Sequence, residues 1–344
     1  MKALLLERAE KISIRECQFD ESLGDNNVKI KIHSVGICGS DIHYYQHGRI
    51  GPFVVETPMV LGHEASGVVL AVGKNVRHLK VGDRVCMEPG IPDMESTQTR
   101  AGIYNLDPSV RFWATPPVHG CLRETVIHPA AFTFKLPDNV SFSEGAMVEP
   151  LAIGMQAATK AGIKPGDIAL VIGAGTIGIV TALAALAGGC SDVIICDLFD
   201  DKLKIAASYD GLQAVNSQSG KLAEKVAELT SGTGVDLVFE CSGAKSAIAG
   251  IAEHMAPGGT AVLVGMPVDA APLDIVAAQA KEITFKTVFR YANMYPRTLR
   301  LLSSGKLCVQ PLISHTYKFS DSVAAFERAA SGQPADIKIM IEME

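Results

Sequence analysis

Residues 36–67 contain three side chains of types that could together bind one metal ion, namely Cys38, His63 and Glu64. A thiolate, an imidazole and a carboxylate suit zinc. Three protein ligands with a fourth position left open are typical of a catalytic zinc, whereas structural zinc sites are usually closed by four Cys or His ligands. Spacing alone is a weak signal, because a cysteine often serves only as a small buried hydrophobe. A catalytic zinc is therefore a hypothesis that needs a second motif in its support.

That second motif is the glycine sequence formed by Gly173, Gly175 and Gly178, which matches G-x-G-x-x-G. It follows an apolar run that predicts a buried strand and precedes an Ala- and Leu-rich run that predicts a helix, the context in which the motif is a strong signal. The first glycine permits a tight turn, the second lets the backbone approach a pyrophosphate, and the third allows close packing of helix on strand. The pyrophosphate would rest on the helix N-terminus, so the motif predicts a dinucleotide site.

Asp197 closes the next predicted strand, SDVIICD. A carboxylate at this place in a dinucleotide fold accepts hydrogen bonds from the adenosine ribose and repels a 2′-phosphate. Asp200 and Asp201 add to that repulsion. The sequence therefore predicts that NAD is preferred over NADP.

An open zinc site and a nicotinamide dinucleotide in one chain together indicate a reaction class. Zinc can lower the pKa of bound water from ~15.7 to ~7, and the pKa of an alcohol should move in the same direction. The nicotinamide can then accept the hydride. The two motifs together predict an oxidoreductase that acts on an alcohol.

Two domains are expected to position these residues, because 344 residues exceed what one compact core usually holds. Residues 1 to about 150 contain short Val- and Ile-rich runs that favour a small, partly closed antiparallel barrel. Alternating strands and helices then predict a parallel sheet covered on both faces, over residues 151–289. The tail, residues 290–344, ends in a predicted strand, DIKIMIEM, that could pair with the first domain. Within SEGAMVEPLAIGMQAATKAG, Pro150 should kink or divide a predicted helix.

The amino-acid composition limits which classes of binding partner and which cellular compartment are expected. The chain is 48% apolar and 20% charged, as expected of a globular protein, and its net charge of −6 without a basic run argues against nucleic acid and anionic membrane as partners. The eight cysteines are dispersed and the N-terminus does not resemble a signal peptide, so a cytoplasmic location without disulfides is expected. Residues 168–191 carry no charge and are long enough to span a membrane, but five glycines favour a strand and a buried helix.

The chain resembles a known enzyme family over essentially its whole length. The segments that carry the resemblance are GICGSDIHYY, PMVLGHEASGVV, VGDRVCMEPG, ATPPVHG, MVEPLAIGMQA, VIGAGTIG and VFRYAN. They are similar to the zinc-dependent medium-chain dehydrogenases, specifically the polyol branch. The resemblance implies an α/β fold, with a Rossmann doubly wound parallel sheet and a β-rich GroES-like catalytic domain, and oxidation of a secondary alcohol of a polyol to the ketose.

The resemblance also implies roles for single positions. Cys38, His63 and Glu64 match the zinc ligands, and Glu149 matches a carboxylate that completes the coordination or holds the zinc-bound water. Ser40 and His43 match a proton relay. The positions that match polyol contacts are Tyr44, Glu149, Arg290 and Tyr291. The positions that match NAD contacts, besides the three glycines, are Ile177, Asp197, Lys202, Val264, Gly265, Met266, Val288, Phe289 and Arg290. Without the resemblance, Glu149 could equally be a surface acid, Arg290 an ordinary ion-pair partner and Tyr291 a half-buried aromatic.

One departure from the family pattern concerns a second, structural zinc that many relatives hold with four cysteines. The matching positions here are Asp93, Ser96, Thr99 and Asp107, and none of them is a thiolate. The prediction is therefore one catalytic zinc per subunit and no structural zinc. The surrounding lobe is expected to be held by packing around Tyr104, Phe112 and Trp113.

Several alternatives remain open from sequence. Xylitol, oxidised to D-xylulose, is the first candidate substrate, because GIYNLDPSVRFWATPPVHG most resembles bacterial xylitol dehydrogenases; sorbitol or L-iditol is the next candidate. Threonine or butanediol dehydrogenase is a further enzymatic alternative, and a catalytically silent NAD-binding structural protein is an alternative of another class. The resemblance suggests a homotetramer, or a dimer.

Overall fold

The computed structural model describes residues 1–343, which form two compact units. Unit 1 consists of residues 1–149, 295–303 and 313–343, and unit 2 of residues 150–294 and 304–312. The expected division placed residues 1–150 and 290–344 in the first domain, so residue 150 and residues 290–294 and 304–312 differ from it. Within unit 2 the backbone N–H of Ala292 donates to the side chain of Gln156 at 3.5 Å, which explains why the chain after residue 289 still packs there.

Unit 1 is built mainly from strands. Its strands are β1 (Lys2–Arg8), β2 (Lys11–Glu16), β3 (Asn27–Gly36), β4 (Arg49–Ile50), β5 (Phe53–Val54), β6 (Met59–Val60), β7 (Glu64–Val72), β8 (Arg84–Met87), β9 (Gly90–Ile91), β10 (Arg111–Phe112), β11 (Thr125–Pro129), β12 (Thr133–Lys135), and, near the C-terminus, β19 (Ile313–Lys318) and β20 (Lys338–Glu342). Period-two alternation accounts for the central strand β3, because Val28, Ile30 and Ile32 are fully buried on one face.

The main sheet of unit 1 has the order β12-β8-β7-β3-β20-β19, and β11 also pairs with β3. The C-terminal strand β20 pairs antiparallel with β3 and parallel with β19, so the strand expected at the C-terminus does pair with a strand of the first domain. Strand β3 therefore lies between β7 and β20. In that register Gly36 stands opposite Glu64 on one side and Met340 on the other.

The helices of unit 1 are short. They are α1 (Gly39–His47), α2 (Thr97–Arg100), α3 (Phe142–Ala146), and later α10 (Tyr295–Ser303) and α11 (Ser322–Ala330). The helix predicted around Pro150 is divided as expected, because α3 ends before Met147 and a new helix, α4 (Val148–Ala161), begins at Val148. Pro150 lies in the first turn of α4, where a missing backbone N–H costs little.

Unit 2 has the predicted alternation of strands and helices. Its strands are β13 (Ile168–Ile172), β14 (Asp192–Asp197), β15 (Leu212–Asn216), β16 (Val235–Glu240), β17 (Met255–Leu263) and β18 (Thr284–Thr287), and its helices after α4 are α5 (Thr176–Gly188), α6 (Asp200–Ala206), α7 (Leu222–Thr230), α8 (Lys245–Ala249) and α9 (Ile275–Ala280). All strand pairs are parallel, in the order β15-β14-β13-β16-β17-β18. This is the doubly wound order of a dinucleotide-binding sheet.

The uncharged run at residues 168–191 forms β13 and α5 rather than one long helix. Among the described residues, the helices are all too short or too polar to cross a membrane.

The lobe that lacks the four cysteines is organised around a buried carboxylate. Asp107 is 3% exposed, and its Oδ2 accepts a hydrogen bond from the backbone N–H of Asp93 at 2.6 Å. Its Oδ1 accepts from the backbone N–H of Ser109 at 3.1 Å and from the Ser109 hydroxyl at 2.9 Å, while the Ser96 hydroxyl donates to Thr99 at 2.9 Å. Packing of the three aromatic residues is thus only part of what holds the lobe, because hydrogen bonds join the positions that match the cysteines of relatives.

Replacing Asp107 by Asn is expected to loosen this lobe, because the amide nitrogen cannot accept the N–H groups that the carboxylate accepts. We expect limited proteolysis and amide hydrogen exchange within residues 90–115 to become several-fold faster, with the rest of unit 1 unchanged. The matched control is Ser109→Ala, which removes only the hydroxyl donor. Equal protection of this segment in wild type and Asp107→Asn would refute the assignment.

Candidate catalytic site

The three predicted metal ligands converge in unit 1. Cys38 directly precedes α1, His63 directly precedes β7, and Glu64 is the first residue of β7. One ligand atom from each residue lies within 4.8 Å of the others, a spacing that one ion can bridge. His63 and Glu64 are buried whereas Cys38 is half-buried, and the thiolate, imidazole and carboxylate set is one that zinc accepts.

A glycine on the neighbouring strand leaves room for the Glu64 carboxylate. A Cβ atom built on Gly36 would lie 2.1 Å from Glu64 Oε2, closer than real contacts allow. The glycine of GICGSD is therefore a requirement of the site itself, since any side chain there would displace the carboxylate.

Asp41 contacts His63 and the backbone at Cys38 and Gly62, and it was not predicted from the sequence. It is 1% exposed; Oδ1 accepts the backbone N–H of Gly62 at 3.0 Å, and Oδ2 accepts that of Cys38 at 3.1 Å. Oδ2 also lies 3.6 Å from Nδ1 of His63, which leaves Nε2 of the imidazole for a metal. Burial alone would raise the pKa of Asp41, but His63 and the two backbone donors hold it below its usual value. The available signal was an acid three residues after Cys38 at a helix start.

Replacing Asp41 by Asn is expected to weaken zinc binding by about 10- to 100-fold, since the imidazole loses the carboxylate that orients it. Competition with a chromophoric chelator measures the zinc Kd. The matched control is Asp20→Asn, an exposed aspartate that also accepts a backbone N–H. An unchanged Kd in Asp41→Asn would exclude this role.

The charge state of the His63 imidazole depends on these neighbours. Burial would lower the pKa of His63, but the negative charges of Asp41 and Cys38 raise it well above its usual value. A metal ligand must be the neutral imidazole, so metal binding here displaces a proton.

A second residue missed from sequence is Lys338, the first residue of β20. Its ammonium lies 2.7 Å from both carboxylate oxygens of Glu64 and is 3% exposed. Burial would lower the pKa of Lys338, but the charges of Glu64, Cys38 and Glu149 hold it above its usual value. The only sequence signal was a lysine next to the apolar run Ile339, Met340 and Ile341 of the terminal strand.

Helix α1 carries the residues that the resemblance assigned to the proton relay and to one polyol contact. Ser40 and His43 are half-buried, and Tyr44 is buried. Burial, and to a smaller degree the charge of His47, lowers the pKa of His43, so its imidazole is largely neutral near pH 7 and can accept a proton. Its ring centroid lies 4.6 Å from that of His47.

The remaining predicted polyol contacts lie on different elements. Glu149 is 3% exposed in the first turn of α4 and belongs to unit 1. Arg290 and Tyr291 follow β18 in unit 2. Arg290 has a left-handed backbone, with φ of 53°, and its guanidinium carbon lies 4.9 Å from the Phe289 ring centroid. Tyr291 is fully buried rather than half-buried, at 2% exposure.

Glu88 is a buried acid that the sequence analysis did not single out. It ends the VCME segment after β8, is 2% exposed, and accepts a hydrogen bond from the Tyr104 hydroxyl at 2.7 Å. Burial, together with the charge of Glu149, raises the pKa of Glu88 from 4.5 to about 7, although the bond from Tyr104 opposes the shift.

This pKa predicts a pH-dependent stability. Between about pH 4.5 and pH 7 the folded protein binds a proton at Glu88 that the unfolded chain has released, so stability falls as pH rises through this window. Relative to Glu88→Gln, the metal-free wild type should lose about 3 kcal/mol of unfolding free energy between pH 4 and pH 8. Urea unfolding of both proteins across this range measures the difference, and parallel curves would contradict the prediction.

Unit 2 contains a cavity of about 620 Å³ at the glycine motif. Its wall includes Gly173, Gly175, Asp197 and Lys202, all predicted cofactor contacts, and also Phe199 and Ser242, which the sequence analysis did not single out. These residues surround a space large enough for the adenosine part of a dinucleotide.

The glycines act here as the motif requires. Gly173 has a φ of 101°, and a Cβ on Gly178 would lie 1.7 Å from the Gly173 carbonyl oxygen. A Cβ on Gly175 would meet no described atom within 4 Å, which leaves the backbone open to a ligand at the start of α5. Asp197 also supports the turn, because Oδ2 accepts the backbone N–H of Ala174 at 2.7 Å.

The other predicted cofactor contacts lie at the same edge of the parallel sheet. Ile177 is in the first turn of α5; Val264, Gly265 and Met266 follow β17, and Val288 and Phe289 follow β18. The backbone N–H groups of Val264 and Gly265 both donate to the Glu240 carbonyl at 2.8 Å. Carboxyl ends of parallel strands are where such sheets bind ligands.

Comparison with known proteins agrees with this geometry. The family described as Alcohol dehydrogenase GroES-like domain matches residues 24–138, and the family described as Zinc-binding dehydrogenase matches residues 176–304. The D-xylulose reductase of Morganella morganii is 77% identical over 331 residues, which cover 96% of this chain and 98% of that protein. The sorbitol dehydrogenase of Bos taurus is 45% identical over 326 residues, which cover 93% of this chain and 90% of that protein.

The fold also matches solved structures. ECK1772 of Escherichia coli, described as an oxidoreductase/dehydrogenase of unknown specificity, superimposes with a TM-score of 0.95 at 34% identity, covering 100% of this chain and 99% of that one.

Proposed function

The chain belongs to the polyol branch of the zinc-dependent alcohol dehydrogenases, and from this premise we propose that it oxidises xylitol to D-xylulose with NAD as the hydride acceptor. The observation that carries the substrate is the 77% identity to a D-xylulose reductase over 96% of the chain. Sorbitol is the second candidate, because a sorbitol dehydrogenase is 45% identical.

In this proposal unit 1 performs the chemistry at the alcohol. Cys38, His63 and Glu64 hold the zinc, which when bound acts as a Lewis acid toward the alcohol oxygen. Ser40 and His43 carry the released proton toward solvent, for which the lowered pKa of His43 is suited. Glu149 completes the coordination or holds a water molecule.

Cofactor and substrate contacts from unit 2 complete the proposal. The glycine turn and the α5 N-terminus hold the pyrophosphate, and Asp197 binds the ribose and disfavours NADP. Arg290 and Tyr291 contact the polyol, where Arg290 can only donate hydrogen bonds and therefore suits hydroxyl oxygens. Residues 1–150 and 290–344 then form the catalytic domain, and residues 151–289 the NAD domain, apart from the boundary segments noted above.

A substrate panel tests the reaction. Xylitol, sorbitol, L-iditol, L-threonine and 2,3-butanediol are compared with NAD, before and after treatment with a chelator and after zinc is restored. We expect the highest kcat/KM with xylitol, loss of activity with the chelator and recovery with zinc. Greater efficiency with an amino alcohol or a diol would replace the polyol assignment, and no turnover with any substrate would favour the silent NAD-binding alternative.

We also propose a single zinc per subunit. Asp93, Ser96, Thr99 and Asp107 offer no thiolate, and the hydrogen bonds around Asp107 supply cross-links in this lobe. Metal analysis of purified protein should find one equivalent, and two equivalents would contradict the proposal.

The proposal includes a homo-oligomer, a tetramer or a dimer. Val268, Ile275 and Val276 in unit 2 are 88%, 54% and 78% exposed, and β18 is an edge strand of the sheet. Exposed apolar residues and an unpaired strand edge each favour association. Light scattering should give a multiple of the 36.4 kDa chain mass, and a monomeric mass would refute it.

We further propose a cytoplasmic location. All eight cysteines, which lie within the described part of the chain, are unpaired thiols, as is common in a reducing compartment. Cell fractionation tests this.

A further inference from the structure

The carboxylate of Glu64 is paired with the Lys338 ammonium, which has an acceptor for each of its three N–H groups. The Lys338 ammonium donates to Oε1 and Oε2 of Glu64, each at 2.7 Å, and to the carbonyl oxygen of Ile37 at 3.0 Å. An ammonium has three N–H groups, so three acceptors satisfy it. Both partners are buried, with Lys338 3% and Glu64 1% exposed.

Three neighbouring strands fix this ion pair. Glu64 begins β7 and Lys338 begins β20, and the intervening strand β3 ends in Gly36, the position without a side chain. The cation and the carboxylate therefore meet across a strand whose last residue leaves the space free. The sheet, rather than two flexible side chains, sets the distance between them.

We propose that Lys338 is the counter-ion that keeps Glu64 compensated in the metal-free protein and shares that carboxylate with zinc when the metal binds. The inference rests on the proposed role of Glu64 as a zinc ligand. A buried carboxylate without any cation is strongly destabilising. Zinc can dissociate and Lys338 cannot, so the lysine keeps the site folded when the metal is absent.

The sign of the effect on zinc affinity follows from this arrangement. Replacing Lys338 by Met removes the cation that is hydrogen-bonded to both carboxylate oxygens of Glu64 in the metal-free protein, whereas zinc still stabilises that carboxylate in the loaded protein. The substitution therefore destabilises the metal-free state more than the loaded state, and by linkage the folded variant binds zinc more tightly. A residue that only positions Glu64 gives the opposite result, since its loss weakens zinc binding.

The experiment compares wild type, Lys338→Met, Lys338→Arg and the control Lys318→Met, which removes an exposed lysine at the end of β19. Tm is measured for each protein after zinc removal and again after zinc loading, and the zinc Kd is measured by competition with a chromophoric chelator. For Lys338→Met we expect a lower metal-free Tm, a larger rise in Tm on adding zinc, and a Kd at least about tenfold lower than wild type. Lys338→Arg and Lys318→Met should stay close to wild type.

An equal loss of Tm with and without zinc, or a Kd that is unchanged or higher in Lys338→Met, would overturn the proposal. If Lys338→Met does not fold without metal, the double variant Glu64→Met/Lys338→Met decides, because it removes both charges. We expect the double variant to fold without metal; a double variant that also fails to fold without metal would overturn the proposal.

These readouts involve neither polyol nor nicotinamide. If the substrate panel fails but the Tm and Kd results are as expected, the proposed function is wrong. If the panel succeeds but the Tm and Kd results differ from those expected, the role of Lys338 is wrong.

Discussion

Replacing Cys38 by serine is expected to lower kcat/KM for xylitol by at least about 10³-fold, because the loss of a Lewis acid costs several kcal/mol of transition-state stabilisation. A serine hydroxyl stays protonated near neutral pH and is a far poorer zinc ligand than a thiolate. The remaining donors, His63 and Glu64, are too few to hold the ion firmly. Steady-state kinetics and zinc content, measured on the same preparation, check this result.

The control for this variant is Cys308→Ser, which changes an exposed thiol in unit 2 and should leave turnover and zinc content unchanged. Full turnover in Cys38→Ser would remove the metal from the mechanism. Loss of turnover with a normal zinc content would show that Cys38 acts in another way.

Replacing Asp197 by serine is expected to shift cofactor preference from NAD toward NADP. The ratio of kcat/KM with NAD to that with NADP should fall by about 10²-fold, since a hydrogen bond to a charged group contributes about 1.5–3 kcal/mol and the repulsion of a 2′-phosphate is removed as well. Kinetics with both cofactors at saturating polyol measure the ratio.

Asp197 also supports the glycine turn, through the bonds from Ala174 and from the backbone N–H of Phe199 at 3.1 Å. Asp197→Asn keeps the shape and one acceptor oxygen, so it removes the charge and loses only one of the two hydrogen bonds of the turn, whereas Asp197→Ser removes the whole carboxylate. Asp201→Asn is the exposed control, where the carboxylate pairs with Lys204 at 2.7 Å. If Asp201→Asn changed the ratio as much as Asp197→Ser, discrimination would arise from the general negative charge of this segment.

Local sequence patterns were enough to predict the dinucleotide motif, the parallel sheet and the three candidate zinc ligands. The G-x-G-x-x-G turn and the acid at the end of the next strand lie within about 30 residues of each other, as the motif requires. Alternating strand and helix patterns likewise predicted the parallel sheet. Cys38, His63 and Glu64 were found because their types suit zinc, and the structure brings their ligand atoms within 4.8 Å.

The supporting residues could not be found in this way. Lys338 meets Glu64 across 274 positions of sequence, and Asp41 reaches Gly62 across 21. Nothing in a sequence pattern shows which buried acid faces which donor, and the aromatic packing predicted for the lobe did not include the hydrogen bonds of Asp107.

The sequence by itself determined the chemistry that the chain can perform, because ligand types, glycines and strand patterns depend on residue identity and short spacing. Only the tertiary structure decided which charges are compensated, because burial and pairing depend on strands distant in sequence that meet in one sheet. The raised pKa of Glu88 and the ion pair of Lys338 with Glu64 both come from that arrangement.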